Sequence, residues 1–153
     1  MSLDLDPTPL AGTTLAAGQM LPDVVFTDAR TGRRWRPSQL RQRAAQVLCF
    51  LHDDCRPCDG VLARLDEREA DLRWSDAEVR AVRASPTDGP FPVLLDPEGR
   101  VCRRLLGPDG RRPTLIVTDR YTAVADAYPA PEHAFPEVDT VLRSLRLLAC
   151  DCE

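Results

Sequence analysis

The chain has 153 residues, 43 % of them apolar and 29 % charged, with a formal net charge of −4; that is enough apolar material for the core of one ordinary domain and too little bias for wholesale disorder. The negative balance gives no electrostatic reason to expect nucleic acid or an anionic membrane as a partner. All 20 basic residues are arginine, which excludes lysine-based covalent chemistry such as a Schiff base. No apolar run approaches the ~18 residues of a membrane span. The first twenty residues are not read as a secretory leader, because Asp4 and Asp6 stand where positive charge belongs. The expected compartment is therefore a reducing cytoplasm, where six cysteines serve redox, metal or core roles rather than a disulfide framework.

In chain order, residues 1–17 are rich in Pro, Thr, Ala and Gly and are expected to be flexible. Residues 18–149 are expected to form the domain, and 150–153 a Cys-x-Cys tail. Val24–Thr27 reads as a short strand, Thr31-Gly32 as a turn, Trp35 as part of the returning strand, and Pro37–Leu40 as one helical turn. Gln46–Leu51 is a continuous apolar run with the length of a strand buried on both faces. From Cys55 to about Asp71 the spacing is helical, with Cys58, Val61, Leu62, Leu65 and Leu72 on one face. Val79–Ala84 reads as a strand, and Phe91–Asp96 as an extended piece closed by a Pro97-Glu98-Gly99 turn. Residues 100–106 read as a helix ended by Gly107-Pro108. Pro113 introduces a strand over Thr114–Thr118, Asp119-Arg120 turns it into Thr122–Ala127, and a last helix starts near Pro136. This alternation predicts an α/β fold with a mixed sheet.

Cys55-Arg56-Pro57-Cys58 falls directly after the buried strand and opens a helix. A helix N-terminus favours a thiolate through its exposed N–H groups and dipole, and a cysteine one turn further in can attack the resulting mixed disulfide. Pro57 fits the first turn, where a missing N–H costs little. Arg56 adds local positive charge, which Asp53 and Asp54 oppose, and His52 is close enough in sequence to modulate the thiolate. A zinc site needs about four ligands. The other candidates, Cys150, Cys152, His52 and His133, do not repeat the Cys-x-x-Cys spacing. The strand-to-helix context therefore favours redox chemistry without a metal or other cofactor.

Several segments together carry a resemblance that spans residues 18–148: Gly18–Asp23, the Gly32 turn, Val47–Phe50 leading into Cys55, Phe91–Asp96, Leu106-Gly107 and Arg112–Asp119. In order and spacing they resemble the thioredoxin-like superfamily, in particular its peroxiredoxin, alkyl-hydroperoxide-reductase and TlpA-like members. The resemblance implies a thioredoxin fold, a central mixed sheet flanked by helices, with a peroxiredoxin-like N-terminal β-hairpin extension. It implies a thiol–disulfide oxidoreductase in which Cys55 attacks and Cys58 resolves, acting on protein or small-molecule disulfides and thiols. It also implies that Pro113 is the cis-proline that faces the Cys-x-x-Cys pair. Two positions depart from the thioredoxin pattern: Asp54 stands where a Trp is usual, and Cys49 where a buried acid is usual. An alternative is a thiol peroxidase acting on hydroperoxides. Aligned on the Pro-x-x-x-Thr-x-x-Cys segment of peroxiredoxins, Cys58 takes the peroxidatic place, with Cys55 at the Thr and Leu51 at the Pro. Arg112 then falls at the active-site arginine. A third reading is a non-enzymatic redox-sensing or metal-handling module that uses Cys55 and Cys58 with Cys150 and Cys152. Cys49, Cys102, Trp35 and Trp74 read as packing residues, and His133, in a Pro-rich loop, carries no signal.

Overall fold

The computed structural model describes residues 9–108 and 113–150. Its centre is β3 (Ala45–Phe50), the apolar run of the sequence, in which every residue is buried. β3 pairs in parallel with β4 (Ala77–Arg83) and antiparallel with β6 (Thr114–Thr118). The full order is β2-β1-β5-β4-β3-β6-β7, completed by β1 (Phe26–Asp28), β2 (Arg34–Trp35), β5 (Val93–Leu95) and β7 (Val124–Pro129). The antiparallel β1–β2 pair joins the sheet through β5 and forms the expected N-terminal hairpin.

Successive side chains of a strand point to opposite faces, so β3 feeds two cores. Val47, Cys49 and Leu51 pack with α1 (Arg56–Asp66), α2 (Glu69–Trp74) and α4 (Val138–Cys150). Leu48 and Phe50 pack on the other face with Phe26, Trp35, Ile116 and α3 (Arg100–Leu106). Two layers of helix over a mixed sheet bury far more apolar surface than either face could alone.

Four expectations shift. The single helix expected from Cys55 to Asp71 is two helices, because Arg68 leaves helical geometry at φ −109°, ψ 30°. The Arg68 guanidinium there bridges Asp71 and Asp139, which ties the break to α4. The second strand of the last hairpin starts at Val124 rather than Thr122. The Asp119 carboxylate accepts from the N–H groups of Tyr121 and Ala123, which lengthens the turn, and Thr122 sits there at φ 65°. Trp74 is not a packing residue: it is 64 % exposed at the end of α2, whereas Trp35 is buried with the Arg80 guanidinium 4.6 Å over its ring. The N-terminal segment expected to be flexible is packed where it is described. Leu15 is 1 % exposed, and the Thr14 N–H donates to the Leu105 carbonyl at the end of α3.

Two measurements check this frame. Ile116→Ala, at a fully buried position of β6, is expected to cost about 2–5 kcal/mol of stability by chemical denaturation. Burial pushes the Cys49 thiol up from an ordinary value near 9.0 to about 12. The folded state therefore holds that proton more tightly than the unfolded chain. The associated stability is present below about pH 9 and is lost as pH rises toward about 12. Cys49→Ala is expected to make the alkaline loss of stability shallower, as read by denaturation midpoints across that window.

Candidate active site

β3 ends at Phe50, and the chain crosses the sheet edge in five residues to α1. The crossing is pinned at both ends. The Leu51 N–H donates to the Val82 carbonyl, and the Asp53 carboxylate accepts from the Ala84 N–H. Asp54 takes a left-handed conformation at φ 46°, which turns the chain into the helix. Asp and Asn adopt that region more readily than other non-glycine residues. Asp54 thus has a backbone role that a bulky residue would fill only with strain.

Cys55 is the N-cap of α1, in extended geometry at φ −122°, ψ 111°, and its Sγ accepts the Cys58 backbone N–H at 3.4 Å. A thiol here fills the place of the usual capping hydroxyl or carboxylate. Arg56 and Pro57 form the exposed first turn, where Pro57 sacrifices no intrahelical bond. Cys55 is half-buried, whereas Cys58 is fully buried. Desolvation, and then the hydrogen bond it shares with Cys55, push the Cys58 thiol up to about 12. The backbone N–H of His52 and the charge of Arg83 pull the other way. His52 thus touches the site through its backbone, and its side chain is exposed. The arrangement offers one half-buried cysteine at a helix N-terminus and one protonated, fully buried sulfur directly behind it.

Pro113 is buried immediately before β6. Because β6 runs antiparallel to β3, Thr114 pairs with Phe50, so Pro113 lies at the same sheet end as the Cys55 turn. Its carbonyl accepts the Ala130 N–H, which fixes the exit of β7 beside it. Arg112 and Cys152 lie outside the described residues. Cys150 ends α4 at the opposite pole. Its neighbours Leu148 and Ala149 line a small cavity with Ala45, where β3 begins. The six residues of β3 separate that cavity from the Cys-x-x-Cys end by roughly 17 Å at the usual rise. The structure therefore brings Cys55, Cys58, Pro113 and the His52 backbone to one sheet end, and leaves Cys150 at the other.

One residue escaped sequence reasoning, and a second enters it only among candidate zinc ligands. Arg83, the last residue of β4, is 1 % exposed. It reaches the Asp59 carboxylate at 2.7 Å, and its Nε and Nη1 are buried with no hydrogen-bond partner among the described residues. Asp59, Leu62 and the 87–91 loop line a cleft with it. His133 ends a 3₁₀ turn (Pro131–His133) after β7, with its ring 5.5 Å from that of His52. Its ligand chemistry put it among the candidates beforehand, but no spacing tied it to the Cys-x-x-Cys pair.

No protein-family model matches the chain, and no curated protein does. Solved structures do match. A Bacteroides thetaiotaomicron protein assigned as a protein disulfide isomerase superposes with a TM-score of 0.74 at 16 % identity, over 94 % of this chain and 96 % of that one. A Chlorobium tepidum protein assigned as the thiol:disulfide interchange protein DsbE gives 0.68 at 22 % identity, over 89 % and 99 %. The peroxidoxin BcpB of Mycobacterium tuberculosis gives 0.70 at 20 % identity, over 87 % and 97 %. The chain has the thioredoxin fold. In that fold the Cys-x-x-Cys pair of this chain occupies the strand-to-helix junction described above.

The Arg83–Asp59 pair supplies an asymmetric test. Its buried member is the arginine; Asp59 is 59 % exposed. Asp59→Ala, which strands the guanidinium, is expected to cost about 3–5 kcal/mol. Arg83→Met, which removes the buried charge at similar volume, is expected to leave the stability near that of the parent. The same Arg83→Met chain loses a cation that favours the Cys58 thiolate. It is expected to accumulate the Cys55 mixed disulfide longer than the parent when mixed with an excess of a disulfide substrate, as read by mass spectrometry of quenched samples.

Proposed function

We propose that this protein is a thiol–disulfide oxidoreductase in which Cys55 strikes and Cys58 resolves. The observation that carries the reading is the division of exposure within one hydrogen-bonded pair: Cys55 is half-buried at the helix N-cap, and Cys58 is fully buried behind it. In the reductive direction the Cys55 thiolate attacks one sulfur of a protein or small-molecule disulfide. That S–S bond breaks, and the departing sulfur leaves as a thiolate and takes a proton from solvent. Cys58 then loses its proton and attacks the Cys55 sulfur. The second substrate thiol is released and the Cys55–Cys58 disulfide remains, so two electrons pass to the substrate. Arg83 offsets the cost of the buried thiolate in the second step. Pro113, buried at the same sheet end, is assigned to the wall against which the incoming disulfide lies. An external thiol restores the dithiol, as a reducing cytoplasm would allow.

The peroxidase alternative asks Cys58 to meet a hydroperoxide as a thiolate. A fully buried thiol pushed up to about 12 is poorly suited to that task, and the same geometry favours Cys55 for it. Cys55→Ser is expected to reduce turnover of a model protein disulfide to background. Cys58→Ser is expected to retain the first attack and stall as a stable mixed disulfide on Cys55. Under substoichiometric peroxide, peptide mapping is expected to find the first oxidised sulfur at Cys55; first oxidation at Cys58 would reverse the assignment of roles.

A further inference from the structure

His133 is held in an unusual way. Glu132 and His133 are consecutive non-glycine residues in the left-handed region, at φ 56° and 64°. Such conformations are costly and persist where the surroundings enforce them. Here the turn is anchored by the Ala130 N–H on the Pro113 carbonyl and the His133 N–H on the Ala130 carbonyl. The strained turn lays the imidazole between the rings of His52 and Phe135. Its Nε2 is buried with no hydrogen-bond partner among the described residues. A buried polar nitrogen left unpaired carries an uncompensated desolvation cost. The imidazole also meets the dithiol: one of its ring nitrogens and the sulfurs of Cys55 and Cys58 all fall within 4.8 Å of one another.

We propose that the reduced protein binds one thiophilic d¹⁰ cation, zinc(II) or copper(I), through Cys55 Sγ, Cys58 Sγ and a ring nitrogen of His133. Two sulfurs and an imidazole are the donor set such ions select. Tetrahedral bonds of ~2.3 Å to sulfur and ~2.0 Å to nitrogen place the ligand atoms somewhat under 4 Å apart, so side-chain movements of about 1 Å close the site. Each thiol gives its proton to solvent as its sulfur–metal bond forms, and no electron is transferred. With three protein ligands a fourth position stays open. The protein then has two exclusive states at one pair of sulfurs, since a Cys55–Cys58 disulfide offers no thiolate to a metal. The site uses neither Cys150 nor Cys152.

The experiment uses the full-length chain reduced by a phosphine, with zinc(II) alone or copper(I) alone, in competition with a chromophoric chelator. One equivalent of at least one of these ions is expected to bind. His133→Gln is expected to weaken that binding by roughly 10-fold or more, and His133→Cys to restore it. The Cys150→Ser/Cys152→Ser variant is expected to bind as the parent does. Failure of both ions to bind overturns the proposal, as does a His133→Gln chain that binds like the parent, or loss of binding in the tail variant. Disulfide turnover by the metal-free parent is read on the same preparation. Turnover without metal binding defeats only the metal site, and metal binding without turnover defeats only the exchange reaction.

Discussion

Everything in this molecule hangs on β3, whose six residues are buried on both faces and hydrogen-bonded along both edges. A strand held on four sides cannot shift register, because a slip of one residue would exchange its two cores. Its C-terminal end is therefore a fixed point, and the turn that carries Cys55 is hung from it by backbone and side-chain bonds to β4. The helix that follows inherits its direction from this end. The partial burial of one cysteine and the full burial of the other are consequences of where the first turn of α1 must sit.

The antiparallel run of β6 matters as much. A parallel strand in its place would carry Pro113 to the far end of the sheet. Reversed, it returns Pro113 to Phe50, and β7 leads back to the same end with the Ala130–His133 turn attached. Three segments distant in sequence converge on one sheet end through two strand reversals. Arg83 arrives from a fourth direction, as the last residue of β4, and brings positive charge beneath a helix that already favours anions at its tip.

Much of this was legible beforehand for plain reasons. A six-residue apolar run, a Cys-x-x-Cys at the start of a helical period and a Pro-led strand are local signals, and β3, α1 and β6 follow them. What escaped depends on long-range contacts. The break at Arg68 coincides with an ion pair to Asp139, 71 positions away, and helical periodicity has no view of it. Arg83 looked like one arginine among twenty until the fold sealed it from water. His133 gave no periodic or motif signal, since a strained turn anchored by Pro113 is what brings it to the sulfurs. Trp74 was misjudged for the converse reason: it reads as a packing residue in the sequence, but α2 ends there and leaves the ring over solvent.

The placement of the two tryptophans has an optical corollary. Asp54, not an indole, precedes the first sulfur in the chain. Trp35 belongs to the cluster on the opposite sheet face from Cys58, and Trp74 stands in water at the end of α2. Neither indole shares a core with the dithiol, so intrinsic emission reports whether the chain is folded and carries little trace of the oxidation state of its sulfurs.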